Sequence, residues 1–507
     1  MTAAALVAMV VLAAAGALPV LALVGARWVA VPLIPLGGAV LAAGAAAGMV
    51  AVGGSLVVWF AALAASVGVA CTALWIVRPT ARPWRRHAVE SPPGVRLVRL
   101  VRLVAFVAVA LAAAWSLTAL RTPSVGFDAR TIWMLHARWY ADGHTTSLAA
   151  LRNTALFFAH AGYPPLIGGT VAVAWLVTGV DSDRFGVVIV ALLNACAVMA
   201  AAWVLVDLGR RCARWSANRS EPGDALSTGR GAGIVPSLVG SVAAGLLVLV
   251  AFGVAGPFAT NGYADMLWAT AAVGAVGFGL VLSGRRSDLG AAAVLLAVAG
   301  LTKDEGYVTS MVIVALITLR AAVSPRVGAS DSSPAGTQGR RWRRVVSTRW
   351  RAVVFGVMAV VGLGLWPLLT RLLHGAPNAA APGRRDGDDV SRLHDSVVSM
   401  AAHLHVLLLA APVAVVGMVV LGRARRTMGL GSDGWVWAAL VAGLGVVFVV
   451  YVTGPGNIAL WLLTSTHRTT IYGALLGWWV VAGWAVIGSA HVVRRRGRPP
   501  GISSRSA

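Results

Sequence analysis

The sequence predicts an all-α polytopic membrane protein with about 13 transmembrane helices. Of its 507 residues, 58% are hydrophobic and 12% are charged, and the mean hydropathy is +0.80. Apolar runs close to the length needed to cross a hydrocarbon core of about 30 Å recur along the chain. Arginine clusters follow several of these runs, which is typical of loops on the cytoplasmic side.

The apolar runs define the predicted spans. We place them at 3–24, 28–50, 55–77, 98–119, 185–207, 234–256, 264–283, 289–301, 306–322, 352–370, 398–421, 434–453 and 469–491. The first run has no basic flank and two more follow at once, so we expect it to stay as a helix rather than act as a secretory signal. We expect residues 1–97 to form a three-span block with a cytoplasmic linker, residues 98–491 to form the membrane core, and residues 492–507 to form a basic cytoplasmic tail.

Positive charge lies on one side of these spans. The basic clusters are "RPTARPWRR" (78–86), "RRCAR" (210–214), "GRR" (284–286), "RRWRR" (340–344), "RARR" (423–426) and "RRRGR" (494–498). If all are cytoplasmic, the N-terminus lies outside and the C-terminus inside. The outward segments are then 120–184, 257–263, 302–305, 371–397 and 454–468. With Asp265 counted outside, the whole formal net charge of +24 lies on the inner side, which indicates topology and argues against nucleic-acid binding.

One apolar segment is expected not to cross the membrane. If residues 164–180 crossed, the cluster at 210–214 would move to the outer side, against the charge pattern. We therefore predict a juxtamembrane or re-entrant segment on the outer face, within a long first outer loop at 120–184.

Polar and ionisable residues gather at the predicted outer ends of the spans. Such residues are costly near the bilayer unless they are paired or used, so their gathering indicates a functional site. The candidates are Asp128, His160, Tyr163, Asp265, Lys303, Asp304, Glu305, Ser465 and Arg468. Lys303 is the single lysine of the chain, which otherwise uses arginine for positive charge.

Five of these candidates also have a structural interpretation. Asp128 and Asp265 stand where carboxylates favour helix starts. Tyr163 precedes two prolines and fits a turn, Arg468 fits an arginine that reaches the membrane interface, and Lys303 fits a local ion pair at a helix end. The convergence of five outer segments on one face is a stronger indication than any single residue.

Two classes of function are open at this point. In the first, an enzyme holds an anionic lipid-linked substrate with arginine and lysine, while a carboxylate takes a proton from an incoming hydroxyl. In the second, the protein is a flippase or transporter for a lipid-linked sugar. Transporters place coupling charges near the bilayer midplane, often within internal repeats, and neither pattern is evident in the sequence. The sequence therefore favours an enzyme.

Five motifs stand in order between residues 98 and 491. They are "GFDARTIWMLHARWYADG" (126–143), "HAGYPPLIGG" (160–169), "GYADMLWA" (262–269), "LTKDEG" (301–306) and "YVTGPGNIALWLLTSTHRTTIY" (451–472). This order resembles the GT-C superfamily of polytopic glycosyltransferases, in its bacterial branch related to protein mannosyltransferases and aminoarabinose transferases. The chain departs from the family pattern at Phe127, His136, Gly162 and Asn457, which leaves the acceptor and any metal requirement open.

The resemblance implies inverting transfer of a sugar from a polyprenyl-phosphate donor to an acceptor hydroxyl on the extracytoplasmic face. Asp128 would act as the general base, and Arg468 and Lys303 would stabilise the leaving phosphate. The other residues expected to bind substrate are Asp304, Glu305, Asp265, Tyr163, His160 and Ser465.

The resemblance also suggests the partners. The Ala/Val/Gly/Arg bias hints at an actinobacterial source, for which arabinose or mannose are the expected sugars and cell-wall biogenesis the expected process. The acceptor is a glycan, a lipid or a protein. No metal ligand is predicted, no cofactor is required by the motifs, and a divalent cation is left open. We expect a multi-pass protein of the plasma membrane with its active site on the outer face.

Overall fold

A computed structural model of the chain describes residues 1–77, 124–217, 234–282, 285–323, 338–373, 388–454 and 457–496, and every regular element in these ranges is a helix. The α-helices are α1 (Thr2–Val24), α2 (Ala30–Val52), α3 (Leu56–Val77), α4 (Leu135–Asp142), α5 (His144–Arg152), α6 (Leu166–Thr178), α7 (Asp183–Ala217), α8 (Ile234–Ala255), α9 (Asp265–Val276), α10 (Arg286–Gly300), α11 (Asp304–Val323), α12 (Gln338–Leu372), α13 (Asp389–His403), α14 (Val406–Thr427), α15 (Asp433–Thr453), α16 (Ile458–Thr469) and α17 (Ile471–Arg496). π-helical turns at Ala129–Met134 and Gly277–Leu282 adjoin α4 and α9, and short 3-10 segments lie at Thr154–Ala159 and Gly256–Ala259.

The described residues contain 11 helices that are long and apolar enough to cross a membrane. This confirms the predicted class, an all-α polytopic membrane protein. The predicted span 98–119 and the linker before it lie outside the described residues, as does most of the basic tail. The predicted span 289–301 is α10, whose 15 residues fall short of the roughly 20 that a crossing usually needs. The number of crossings and their orientation stay predictions.

The structure corrects the predicted span at 398–421. A first helix, α13, ends at His403, and α14 begins separately at Val406. In α13 the fully buried Arg392 donates hydrogen bonds to three carbonyl oxygens at the end of α15. The last carbonyl oxygens of a helix lack intrahelical donors, so this guanidinium caps α15 and holds α13 across the end of the bundle.

One end of the bundle is held together by arginine–carboxylate pairs, and we call it the arginine end. Asp288 at the start of α10 is fully buried and accepts hydrogen bonds from Arg27, at 2.8 Å, and from Arg211. Asp207 in α7 accepts from Arg27 and, at 3.1 Å, from Arg210. The connection between α1 and α2 is thereby tied to both α7 and α10.

The connection between α14 and α15, which the sequence assigned to the cytoplasmic side, lies at the arginine end. Arg425 in α14 pairs with Asp433 at the start of α15. The indole N–H of Trp215 in α7 donates to the Thr427 hydroxyl at 3.1 Å. The basic clusters at 210–214 and 423–426 therefore belong to one end of the molecule, in agreement with their assignment to a single side.

The opposite end gathers segments that the charge pattern assigned to the other side, and we call it the Asp128 end. The backbone N–H of Gly126 donates to the carbonyl oxygen of Asn261 at 3.0 Å, and that of Leu166 donates to Leu301 at 2.9 Å. These bonds join the first long loop to the segments before α9 and after α10.

The apolar segment 164–180 forms α6, a helix of 13 residues. Such a helix rises about 20 Å, less than the thickness of a hydrocarbon core. α6 begins beside Leu301. Asp183, five residues after the end of α6, pairs with Arg138 of the first long loop at 2.7 Å. Both flanks of α6 therefore lie at the Asp128 end, as expected for a segment that does not cross.

α10 connects the two ends although it is short. Asp288 in its first turn belongs to the arginine end, and Lys303, three residues after its last, belongs to the Asp128 end. α1 packs closely against it, because a Cβ atom at Gly290 would lie 2.3 Å from the carbonyl oxygen of Leu23. Small residues allow helices to approach this closely in membrane proteins. The N-terminal helices are thus packed into the bundle rather than set beside it.

The arginine end gives a prediction about stability. Asp288→Asn should destabilise the protein by about 3 kcal/mol, because Arg27 and Arg211 would lose the charge that compensates them in a buried site. The measurement is thermal unfolding of the purified protein in detergent. The matched control is Asp395→Asn, in an exposed His394–Asp395 pair, which should leave stability within about 0.5 kcal/mol. Equal melting curves for the two variants would contradict the structural role of Asp288.

Candidate functional site

Five charged side chains form a continuous chain at the Asp128 end, alternating in sign. Asp128 accepts a hydrogen bond from Arg468, and Arg468 lies 3.7 Å from the second oxygen of Asp265. The first oxygen of Asp265 accepts from Lys303 at 3.0 Å, and Lys303 also lies 3.1 Å from Glu305. We call this set the charge chain. Its members come from four separate segments, so the fold alone brings them together.

Asp265 is the central member of the charge chain. Its residue is only 1% exposed, and its two oxygens face the two cations separately. A buried carboxylate is stable only when it is paired and hydrogen-bonded, and the start of α9 adds the favourable field of a helix N-terminus. Asp265 therefore sets the positions of Lys303 and Arg468 relative to each other.

Lys303 occupies the short break between α10 and α11. It is 8% exposed and pairs with carboxylates on both sides of that break. Burial alone would lower the pKa of Lys303, but the charges of Asp265 and Glu305 outweigh burial and raise it well above its usual range. The lysine is thus cationic at neutral pH and is held by two acids, of which Glu305 belongs to the same motif, "LTKDEG" (301–306).

Asp128 is positioned by a close contact between the first loop and Tyr263. A Cβ atom at Gly126 would lie 2.1 Å from a ring carbon of Tyr263, so only glycine lets the loop approach. The backbone N–H of Asp128 lies 3.5 Å from the Tyr263 hydroxyl. The Asp128 carboxylate is therefore presented at the start of the π-helical turn, next to the tyrosine.

Arg468 is fixed from three directions in the last turn of α16. Its Nε atom donates to the carbonyl oxygen of Thr464 at 3.0 Å, and its guanidinium lies over the rings of Tyr263, at 4.8 Å, and Phe258, at 5.8 Å. Cations are favoured both at helix C-termini and over aromatic faces. Arg468 can therefore exchange the partner of one N–H group without losing its place.

A stack of three rings borders the charge chain. His160 stacks on Tyr163 at 4.6 Å between ring centroids, and Tyr163 stacks on Trp133 at 5.5 Å. The indole of Trp366 holds the turn by donating to the carbonyl oxygen of Gly162 at 2.8 Å. Burial lowers the pKa of His160, and burial raises the pKa of Tyr163, so both rings are neutral at pH 7.

The two remaining predicted site residues, Asp304 and Ser465, are not members of the charge chain. Asp304 begins α11 next to Glu305. Ser465 shares a hydrogen bond of 2.8 Å with the Tyr451 hydroxyl and donates to the carbonyl oxygen of Trp461 at 2.6 Å. Those bonds direct Ser465 toward α15 rather than toward the charge chain.

Sequence reasoning did not select two residues that shape the site. Tyr263 touches both Asp128 and Arg468, and it lies within the quoted motif "GYADMLWA", so its position two residues before Asp265 was an available signal. Trp366, in α12, carries no local signal, because its bond to the first loop depends on how distant helices pack.

The arrangement suits an anionic ligand that also offers hydroxyl groups. Two cations converge on one carboxylate, and carboxylates stand at both ends of the charge chain. Within the described ranges, no group of three His, Cys, Asp or Glu side chains is arranged to hold a metal ion. No protein-family model, curated protein or solved structure matches the chain.

His136 gives a prediction about acid stability. It is buried, its Nε2–H donates to the carbonyl oxygen of Ala159 at 2.8 Å, and burial lowers its pKa to about 4. The unfolded chain, with a histidine pKa near 6.5, binds the proton more readily. The stabilisation is therefore complete above about pH 6.5 and is lost as pH falls toward 4, by up to about 3 kcal/mol.

The measurement is thermal unfolding in detergent between pH 7.5 and 4.5. His136→Gln keeps an N–H donor but does not titrate, so its melting temperature should fall less steeply with acid than that of the wild type. His394→Gln, at an exposed histidine, should follow the wild-type curve. If the melting temperature of His136→Gln falls with acid as steeply as that of the wild type, the buried neutral imidazole is not responsible for the acid sensitivity of the protein.

Proposed function

We propose that the protein is a membrane glycosyltransferase that moves a sugar, such as arabinose or mannose, from a polyprenyl-phosphate donor to an acceptor hydroxyl with inversion. The observation that carries the proposal is the charge chain, in which buried Asp265 holds Lys303 and Arg468 together beside the carboxylate of Asp128. Such a pair of cations fits a phosphate, and such a carboxylate fits a general base.

The two cations suit different parts of phosphate recognition. A guanidinium can donate two parallel N–H bonds to phosphate oxygens, whereas an ammonium acts as a compact point charge. Arg468 and Lys303 are each at most 9% exposed, so their charges are poorly screened by solvent. Because Asp265 already fixes both, they need little rearrangement to stabilise the charge that develops on a leaving phosphate.

Donor binding would also prepare the base. Without donor, one N–H group of Arg468 donates to Asp128. A phosphate competes for that N–H group, and Arg468 stays in place through Asp265, Thr464 and the two aromatic rings. Asp128 is then released from its ion pair with Arg468 and can accept a hydrogen bond from the incoming hydroxyl.

The reaction balances with these groups. The acceptor oxygen forms a bond to the anomeric carbon while the bond from that carbon to the phosphate oxygen breaks, and the electron pair of the broken bond stays with the phosphate. The acceptor proton passes to Asp128. The products are the glycoside and a polyprenyl phosphate with one more negative charge, which Arg468 and Lys303 stabilise.

The positive-inside pattern supports an extracytoplasmic site in the plasma membrane. The basic clusters at 210–214 and 423–426 lie at the arginine end, opposite the charge chain. If the arginine end is cytoplasmic, Asp128 lies at the extracytoplasmic end of the bundle. The acceptor, whether glycan, lipid or protein, would approach from the outer solvent.

A transfer assay tests the proposal. The reconstituted protein would receive radiolabelled polyprenyl-phosphate arabinose or, separately, mannose, with cell-envelope extract as acceptor. Wild type should move label from lipid to acceptor. Asp128→Asn should lower the rate by roughly 10²–10⁴-fold, the usual contribution of a general base. Asp395→Asn, an exposed acid on α13, should transfer at the wild-type rate.

The outcomes separate the alternatives. Label that crosses the bilayer while still attached to its lipid would support the hypothesis of a flippase or transporter rather than an enzyme. No transfer of either sugar by the wild type would oppose an enzyme for these donors. Full activity in Asp128→Asn would remove Asp128 from its assigned role, even if the wild type is active.

A further inference from the structure

The acid at one end of the charge chain has an oxygen that the chain does not use. Glu305 Oε1 pairs with Lys303 at 3.1 Å, while Glu305 Oε2 is buried, and no donor among the described residues contacts it. A buried carboxylate oxygen without a hydrogen bond is expensive, and those in native structures usually receive one from a partner. Glu305, whose side chain is 18% exposed, therefore has an unused acceptor that can pair with an incoming hydroxyl or amine once a small side-chain rotation exposes it.

A second observation concerns the backbone of His160. Its φ angle is +47°, and it is the one non-glycine residue with positive φ in the described part of the chain. This conformation is unfavourable for a residue with a Cβ atom, and such strain is concentrated at ligand sites. Glycine would adopt the same backbone without strain, so the imidazole itself has a use at this position.

That imidazole ends the aromatic stack. Tyr163 covers one of its faces, with ring planes inclined by only 7°, and the His160 residue is half-buried. The charges of Lys303, Glu305 and Asp128 all influence the pKa of His160, after the larger lowering by burial. The ring therefore lies within electrostatic range of both terminal carboxylates of the charge chain.

The charges near this ring limit what can bind. Glu305 carries a negative charge, and its cationic partner Lys303 is already shared with Asp265. A further negative group beside Glu305 would be repelled, whereas hydroxyls can donate to its free oxygen.

We infer that Glu305 and His160 form the subsite for the glycosyl group of the donor, and that this group is a neutral sugar rather than an acidic one. A ring hydroxyl donates to Glu305 Oε2, and the sugar ring lies along the imidazole. This inference rests on the proposed function, because it assigns one part of the same site to one part of the donor.

The test compares two lipids with the full-length protein in nanodiscs. A polyprenyl methyl phosphate, a diester with the same single negative charge as the sugar-bearing lipids, probes the cations alone, and polyprenyl-phosphate mannose or arabinose probes the cations and the glycosyl subsite together. Wild type should bind the better of the two sugar-bearing lipids about tenfold more tightly than the methyl diester, the effect of one hydrogen bond to a charged group. The quantity compared among variants is this ratio.

Two variants should lower the ratio to near one. Glu305→Gln removes the charge from the acceptor, and any effect of releasing Lys303 acts on both lipids alike. His160→Gly removes the ring but relieves the backbone, so it should lose sugar preference while its melting temperature stays at or near the wild-type value. A merely structural histidine would instead lower stability and leave the ratio intact. Asp395→Asn should retain both the ratio and the stability.

Three results would count against the inference or its basis. An unchanged ratio in both Glu305→Gln and His160→Gly, with both lipids still bound, overturns the subsite and leaves the transferase proposal standing. Binding of polyprenyl-phosphate glucuronate in preference to the neutral sugars overturns the charge argument. Failure of wild type to bind any of these lipids above empty nanodiscs overturns the proposed function itself.

Discussion

The carboxylate of Asp265 is the group on which the rest of the site depends. A negative charge that is 1% exposed needs cations close by, and Asp265 meets this requirement with Lys303 on one oxygen and Arg468 on the other. The start of α9, the break after α10 and the end of α16 are thereby tied at one point. The outer carboxylates, Asp128 and Glu305, are then free to exchange partners without disturbing the cations.

The two ends of the bundle use ion pairs differently. At the arginine end, Asp288 is fully enclosed and two arginines converge on it, which stabilises the packing of α1, α7 and α10. At the Asp128 end, Glu305 has a buried oxygen without a hydrogen-bond partner among the described residues, and a strained histidine lies near the charge chain. Buried unpaired atoms occur at both ends, since Arg425 Nη2 at the arginine end has no partner in the described ranges either, so the combination with the strained His160 backbone is what favours a ligand at the Asp128 end.

The sequence predicted features that depend on pattern. Apolar length gave the helices, and arginine distribution grouped the polar segments into two sets that the structure brings together at opposite ends. It could not predict pairings, because these depend on how helices pack. Asp128 and Arg468 are 340 positions apart. The expected helix start at Asp265 is where α9 begins, but nothing in the sequence indicated that this carboxylate also bridges Lys303 and Arg468. The break before Val406 was missed because the apolar residues on both sides of it were joined into one span, although His403 and His405 at the break were an available signal.

Competition between Asp128 and phosphate for Arg468 is the central claim, and a binding measurement tests it most directly. The affinity of the reconstituted protein for bare polyprenyl phosphate would be compared between wild type and Asp128→Asn. If Arg468 exchanges the carboxylate for phosphate, removing the charge of Asp128 should tighten binding by roughly fivefold, equivalent to about 1 kcal/mol. Unchanged or weaker binding in Asp128→Asn would show that Arg468 does not leave Asp128 for phosphate.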